Sequence, residues 1–220
     1  MSVKVKICGI TSVASGLAAA EAGADLVGLM FYEKSPRHIS LETAAEISRA
    51  LPPYVLKAGV FVNPSEETVV EAIARCGLNL LQFHGDETPE FCMQFGLMSM
   101  KAFRIRNAAS LAALPEYPTA AYLLDAFSPE ALGGTGEKFN WDLAVEAKKF
   151  GKPVFLAGGL TPGNVAKAVK KVQPFAVDVS SGVESGPGKK DSRRIVDFVS
   201  NAKSALDRLP APANQDISHH

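Results

Sequence analysis

Two side chains able to move protons stand at the ends of short apolar runs far apart in the chain. They are Cys8, in Lys6-Ile7-Cys8-Gly9, and Asp125, in Leu123-Leu124-Asp125-Ala126. An ordinary thiol, with a pKa of about 8.5, is only a few per cent ionised at neutral pH, so a modest depression makes it a usable base. Period-two alternation puts Lys6 on the face of Cys8, where an ammonium favours thiolate. Free cysteine is more often a buried, inert hydrophobe; its place at the end of a run, followed by glycine, points it towards a pocket instead. A carboxylate in the apolar setting of Asp125 either pairs structurally or has a raised pKa and can donate a proton.

A second set of residues suits an anion. In Gly158-Gly159 the missing side chains let backbone N–H groups come close to a ligand, and the hydroxyls and amides of Ser180-Ser181-Gly182 can do the same. Either pair alone is equally a tight turn. Arg37, after Ser35-Pro36, is either a solvated loop charge or a guanidinium fork that grips a carboxylate. His84 either lines a pocket or takes part in the chemistry. Cys76 and Cys92 fall in helical patterns and read as packing, and Gly133-Gly134-Thr135-Gly136 reads as a lid or phosphate loop.

The elements that must position these residues follow from hydrophobic period. Apolar runs at 3–8, 26–31, 55–62, 79–83, 98–103, 120–125, 153–157 and 175–179 read as strands, with amphipathic segments between them. Ser40 starts a helix over 41–51, Ser65 one through Ile73, Thr161 caps one with Pro162 in its first turn, and Asp191 caps the last, to Leu206. Eight strand-plus-helix units predict parallel strands joined by crossover helices, and eight closes a (β/α)8 TIM barrel. A doubly wound open sheet is the competing topology; strand count and glycine placement favour the barrel. Chemistry then belongs at the carboxyl ends of the strands, where Cys8, Arg37, His84, Asp125 and the glycine and serine loops all lie. The strand 7 and 8 loops together become the usual phosphate cradle of that fold. Inside a barrel the charge of Lys6 needs a partner, and Asp178 on the neighbouring strand 8 is the candidate.

Composition bounds the rest. A chain of 220 residues, 47% hydrophobic, suits one barrel domain over 1–209, with 210–220 (PAPANQDISHH) as a frayed tail. The 23 basic and 23 acidic residues cancel, which argues against nucleic acid as a partner. No apolar run approaches the roughly 18 residues of a membrane span, and the start does not read as a signal peptide. Three cysteines without metal-ligand spacing argue against disulfides and metal, and point to a reducing cytoplasm. The expected partner is a small molecule, with the chain a monomer or homodimer.

Taken in order, the motifs resemble those of the phosphoribosylanthranilate isomerase family. They are Lys6-Ile7-Cys8-Gly9-Ile10-Thr11, Lys34-Ser35-Pro36-Arg37, Gly59-Val60-Phe61-Val62-Asn63, Leu81-Gln82-Phe83-His84-Gly85, Leu124-Asp125, Gly133-Gly134-Thr135-Gly136, Ala157-Gly158-Gly159-Leu160 and Asp178-Val179-Ser180-Ser181-Gly182-Val183-Glu184. They cover residues 3 to 200; Asn140 and Phe83 depart from the commoner Asp and Leu. The resemblance implies an Amadori rearrangement of N-(5′-phosphoribosyl)anthranilate in tryptophan biosynthesis, with no metal or cofactor. It implies Asp125 as general acid, Cys8 as general base and Arg37 on the anthranilate carboxylate. Gly158, Gly159, Ser180, Ser181 and Gly182 would hold the phosphate, with His84 and Asp178 also facing substrate. The histidine-pathway isomerase has aspartate where this chain has Cys8. Indole-glycerol-phosphate synthase would want a lysine–glutamate set and a longer N-terminal extension. A non-catalytic phosphate binder would keep the glycine loops and lose the acid or the base.

Overall fold

Each apolar run becomes a strand, and the segments between strands return the chain to the same end of the molecule. The computed structural model describes residues 2–125 and 141–206. Its elements are β1 (Lys4–Cys8), α1 (Val13–Glu21), β2 (Leu26–Met30), α2 (Leu41–Ala50), β3 (Leu56–Phe61), α3 (Glu66–Cys76), β4 (Leu80–Phe83), α4 (Pro89–Met93), β5 (Ser99–Arg104), β6 (Ala121–Asp125), α5 (Trp141–Ala147), β7 (Val154–Ala157), α6 (Val165–Val172), β8 (Ala176–Val179), β9 (Glu184–Gly186), β10 (Lys189–Lys190) and α7 (Ser192–Lys203). β1 to β8 are parallel throughout and close into a barrel, β8 pairing back onto β1 with Lys6 opposite Asp178. The TIM barrel expected from the sequence is the fold, and every strand end falls within one residue of its expected position.

Alternation divides the strand residues between two cores. Leu26, Ala58, Leu80, Met100, Leu123, Phe155 and Ala176 are buried in one cluster, and Ile7, Val27, Leu81, Phe83, Leu124, Leu156 and Val177 in a larger one shared with the helices. Phe83, the departure noted above, is fully buried there. It stands in a row that runs from Phe31 on Phe61 (5.2 Å between centroids) through Phe61–Phe83 (6.0 Å) to Phe91 and Phe95 (5.7 and 5.9 Å). Cys76 and Cys92 are buried on α3 and α4, as expected of packing residues.

Several helix ends differ from expectation. The β5–β6 connection holds two 3₁₀ turns, Ala108–Leu111 and Leu114–Glu116, where a crossover helix was expected. Pro115 and Pro118 lack the N–H a longer helix needs there. Ser40, Ser65 and Asp191 cap α2, α3 and α7 by accepting from the backbone N–H of Thr43, Thr68 and Arg194. Thr161 does not cap α6. Its carbonyl accepts from Asn164 and Val165, but its own N–H donates to Asn164 Oδ1 (2.8 Å), so a turn comes first and the helix starts at Val165. α3 runs a turn beyond Ile73, and α7 ends at Lys203, three residues before the expected Leu206. Gly133–Gly136, Asn140 and the tail over 210–220 lie outside the described residues. Among the described residues no helix is long and apolar enough to cross a membrane.

One buried ion pair fixes the loop after β4. Lys101 on β5 and Glu87 are almost wholly buried, with Nζ 2.7 Å from Oε2, and Lys101 also donates to the Gly85 carbonyl (2.6 Å). Glu87 accepts from the backbone N–H of Asn63 (2.8 Å) and Gly85 (2.9 Å), tying the β3 and β4 loops together. Breaking such a pair leaves a buried charge without its counterion, which costs about 3–5 kcal/mol. Lys101→Met is expected to lose that much in denaturant unfolding, and a loss below about 1 kcal/mol would remove this role.

Candidate active site

The carboxyl ends of the strands surround a cavity of about 290 Å³. All ten residues singled out from the sequence line it: Cys8, Arg37, His84, Asp125, Gly158, Gly159, Asp178, Ser180, Ser181 and Gly182. Met30, Val60, Gln82 and Leu160 complete much of the wall.

Cys8 ends β1 beside Gly28 of β2, and a Cβ on Gly28 would stand 2.7 Å from the sulfur; the glycine is what gives the thiol room. Beneath it, Lys6 is fully buried with Nζ 2.7 Å from Asp178 Oδ1, the pairing expected across the β1–β8 seam. Burial is the largest influence and works against the Lys6 charge, but Asp178 and Cys8 together overcome it and raise the ammonium above its ordinary pKa. The effect on Cys8 departs from expectation. Lys6 does favour thiolate, and Lys190 helps, yet burial is the larger influence and Asp178 adds to it, so the thiol is pushed up.

Asp125, at the end of β6, takes the structural pairing of the two alternatives, with a polar partner. Its carboxyl is about a quarter exposed, with Oδ2 3.3 Å from His84 Nε2. His84 Nδ1 lies 2.9 Å from Gln82 Nε2. With the Gln82 amide donating, the ring proton sits on Nε2 and points at Asp125. Gln82 received no role from the sequence. A polar residue in mid-strand between apolar neighbours was the available signal.

Arg37 is neither solvated nor free. Its Nε and Nη2 form a two-point clasp on Glu184 Oε1 and Oε2, at 2.8 and 2.7 Å. Lys190 Nζ reaches the same Glu184 Oε1 (2.8 Å) and donates to the Ser180 carbonyl (3.1 Å). Sequence reasoning gave neither Glu184 nor Lys190 a part. They sit on the hairpin of β9 and β10, which follows β8 and was not expected. Burial disfavours the Glu184 charge, but Arg37 and Lys190 overcome it and hold the carboxyl at about 2.

At the opposite rim Gly158 and Gly159 take φ of +84° and +63°, a backbone open chiefly to glycine. Gly182 begins no such turn but passes so close to the Leu160 carbonyl that a Cβ would stand 1.9 Å from it. The β7 and β8 loops thus meet backbone to backbone, which is how two loops can present N–H groups to one anion.

A closed parallel barrel whose carboxyl-end cavity joins a thiol, a carboxyl and a glycine–serine rim defines an enzyme of the (β/α)8 isomerase class. The model of one family, described as N-(5'phosphoribosyl)anthranilate (PRA) isomerase, matches residues 5–201. The N-(5'-phosphoribosyl)anthranilate isomerase of Geobacter metallireducens is 54% identical over 202 residues, covering 92% of this chain and all of the relative. The solved phosphoribosyl anthranilate isomerase of Thermotoga maritima superposes with a TM-score of 0.84 at 43% identity, covering 92% of this chain and 99% of that one. A phosphoribosyl anthranilate isomerase solved with reduced 1-(o-carboxyphenylamino)-1-deoxyribulose 5-phosphate gives 0.82 at 40%, with 92% and 99% covered. The chain belongs to the PRA isomerase family and is an isomerase of tryptophan biosynthesis.

Glu184 makes a pH test of the cluster. Its folded pKa, about 2, lies below the ordinary 4.5, so its contribution to stability is complete above the ordinary value and lost as pH falls through the folded one. The stability difference between the native chain and Glu184→Gln, measured by denaturant unfolding, is expected to be constant near neutrality and to shrink steadily below about pH 4.5. A difference that ignores pH across that window would mean the carboxylate is not held by its two cations.

Proposed function

We propose that the protein converts N-(5'-phosphoribosyl)anthranilate to 1-(2-carboxyphenylamino)-1-deoxyribulose 5-phosphate, with Asp125 as general acid and Cys8 as general base. The observation that carries this reading is the meeting of Cys8, from β1, and Asp125, from β6, in one cavity bounded by the β7 and β8 loops.

Asp125 gives its proton to the furanose ring oxygen as the C1′–oxygen bond breaks, and the nitrogen lone pair closes a protonated Schiff base. Cys8, as thiolate once its own proton has passed to solvent, then takes the C2′ proton, and the electron pair of that C–H bond flows towards the cationic nitrogen to give an enolamine. Tautomerisation moves the enol proton to C1′ and leaves the ketone. Asp125 ends one proton short and Cys8 one richer, and solvent exchange resets both. The substrate nitrogen is the electron sink, so the residues named are sufficient for the proton transfers.

The raised thiol pKa fits this order of events. Burial favours the Cys8 thiol, while Lys6 and Lys190 favour the thiolate that the base step requires. A protonated Schiff base adds a third positive charge, which favours loss of the thiol proton to solvent and so populates the thiolate when the substrate is ready. His84, donating to Asp125, orients the acid. Gly158, Gly159, Ser180, Ser181 and Gly182 receive the phosphate. Asp178 serves through Lys6, and Arg37 meets the anthranilate carboxylate with its Nη1/Nη2 edge, since Glu184 occupies the Nε/Nη2 edge.

Anthranilate fluorescence follows the reaction directly. Cys8→Ser and Asp125→Asn are each expected to cut turnover by roughly 10²–10⁴-fold in a folded protein. Near-normal turnover in Cys8→Ala would refute the base. Arg37→Ala is expected chiefly to raise KM, because its grip persists from ground to transition state. An unchanged KM would refute that contact.

A further inference from the structure

The anion-binding ends of the cavity share one buried carboxylate. Glu184 is almost fully enclosed, at 4% side-chain exposure, and so is Lys190, at 1%. Its Oε1 accepts from both Arg37 Nε and Lys190 Nζ, and its Oε2 from Arg37 Nη2. The backbone is pinned as well: the Glu184 carbonyl accepts from Arg194 at the start of α7. Thr11 Oγ1 donates to the Gly188 carbonyl (2.8 Å), so the hairpin is also fastened to the β1 loop. Lys190 in turn donates to the carbonyl of Ser180. A half-buried guanidinium and a buried ammonium would repel each other here without a carboxylate between them.

We propose that Glu184 is a positioning residue that sets both ends of the substrate cavity at once, aiming Arg37 at the carboxylate end and, through Lys190, holding Ser180 at the phosphate end. The proposal rests on the assignment of those two ends made above. Glu184 does not touch substrate in this scheme. It fixes which edge of the Arg37 guanidinium is free, and it lets a charged lysine stay buried behind the Ser180–Gly182 loop, where it adds positive potential without contacting the ligand.

Electrostatics alone and positioning predict opposite signs, which makes the test decisive. Removing a negative charge beside two cations should strengthen anion binding if Glu184 acts only through its charge. If it acts by positioning, anion binding weakens. The full chain and Glu184→Gln are titrated separately with inorganic phosphate and with anthranilate, and kcat and KM are measured on the same preparations. The expected result is a loss of roughly tenfold in affinity for each probe, the size of a lost charge-assisted contact, with the kinetic loss mainly in KM. Unchanged or tighter binding of either probe would overturn the proposal. Failure of the unaltered chain to bind both probes would overturn the assignment of the two ends, and this proposal with it.

Should Glu184→Gln fail to fold, Lys190→Met keeps the Arg37–Glu184 clasp. It is expected to weaken phosphate and leave anthranilate within about twofold, since the guanidinium keeps both of its contacts. Equal weakening of both probes, or of neither, would overturn the proposal.

Discussion

The barrel depends on its seam. β1 and β8 are 172 residues apart in sequence at the Lys6–Asp178 pair, and only their joining turns an eight-stranded sheet into a cavity with a single mouth. That seam carries a fully buried ammonium against a nearly buried carboxylate, directly below Cys8. The arrangement is an expensive way to close a barrel, because apolar side chains of similar volume usually stabilise as well or better. Its other effect is chemical. Lys6 supplies the positive potential that offsets part of the burial acting on the thiol, so the closure of the fold and the tuning of the Cys8 thiol are one structural fact.

Charge around the cavity is arranged in layers. Lys6 with Asp178 lies under the β1 end, and Lys190 with Glu184 and Arg37 lies under the β8 end. Each buried cation has its own carboxylate, and each carboxylate has more than one donor or a closely held partner. Burial is still the larger influence on Cys8, so these charges do not bring its thiol below its ordinary pKa. The His84–Asp125 contact is the contrasting part: it is longer and more exposed than the Lys6–Asp178 and Lys190–Glu184 pairs.

The strands were legible because parallel barrel strands are buried on both faces and read as short, nearly continuous apolar runs between helical patterns. The serine and aspartate caps were legible because their side chains answer a purely local need. What failed was less local. Pro115 and Pro118 turned an alanine-rich crossover into 3₁₀ turns, and Asn164 drew the Thr161 N–H into a turn before α6 could begin. The site residues were visible as residue types at strand ends, since topology puts every such end on one side. Apart from Lys6 with Asp178 on neighbouring strands, their partners were not. Arg37 and Glu184 are 147 residues apart, and no spacing rule connects them. The thiol pKa was misjudged for a related reason: the neighbouring lysine is apparent from alternation, while the depth of burial that outweighs it belongs to the assembled barrel.

The aromatic row beside β4 has a consequence for how firmly the partner of Asp125 is held. Phe83 faces the helices and packs on Phe61, Phe91 and Phe95, while its neighbours Gln82 and His84 face the cavity. A slip of one residue along β4 would drive a phenyl ring into the cavity and an imidazole into oil. The strand therefore has no near-miss alignment to visit, and the ring that touches Asp125 is held in register by hydrocarbon on the far side of the sheet.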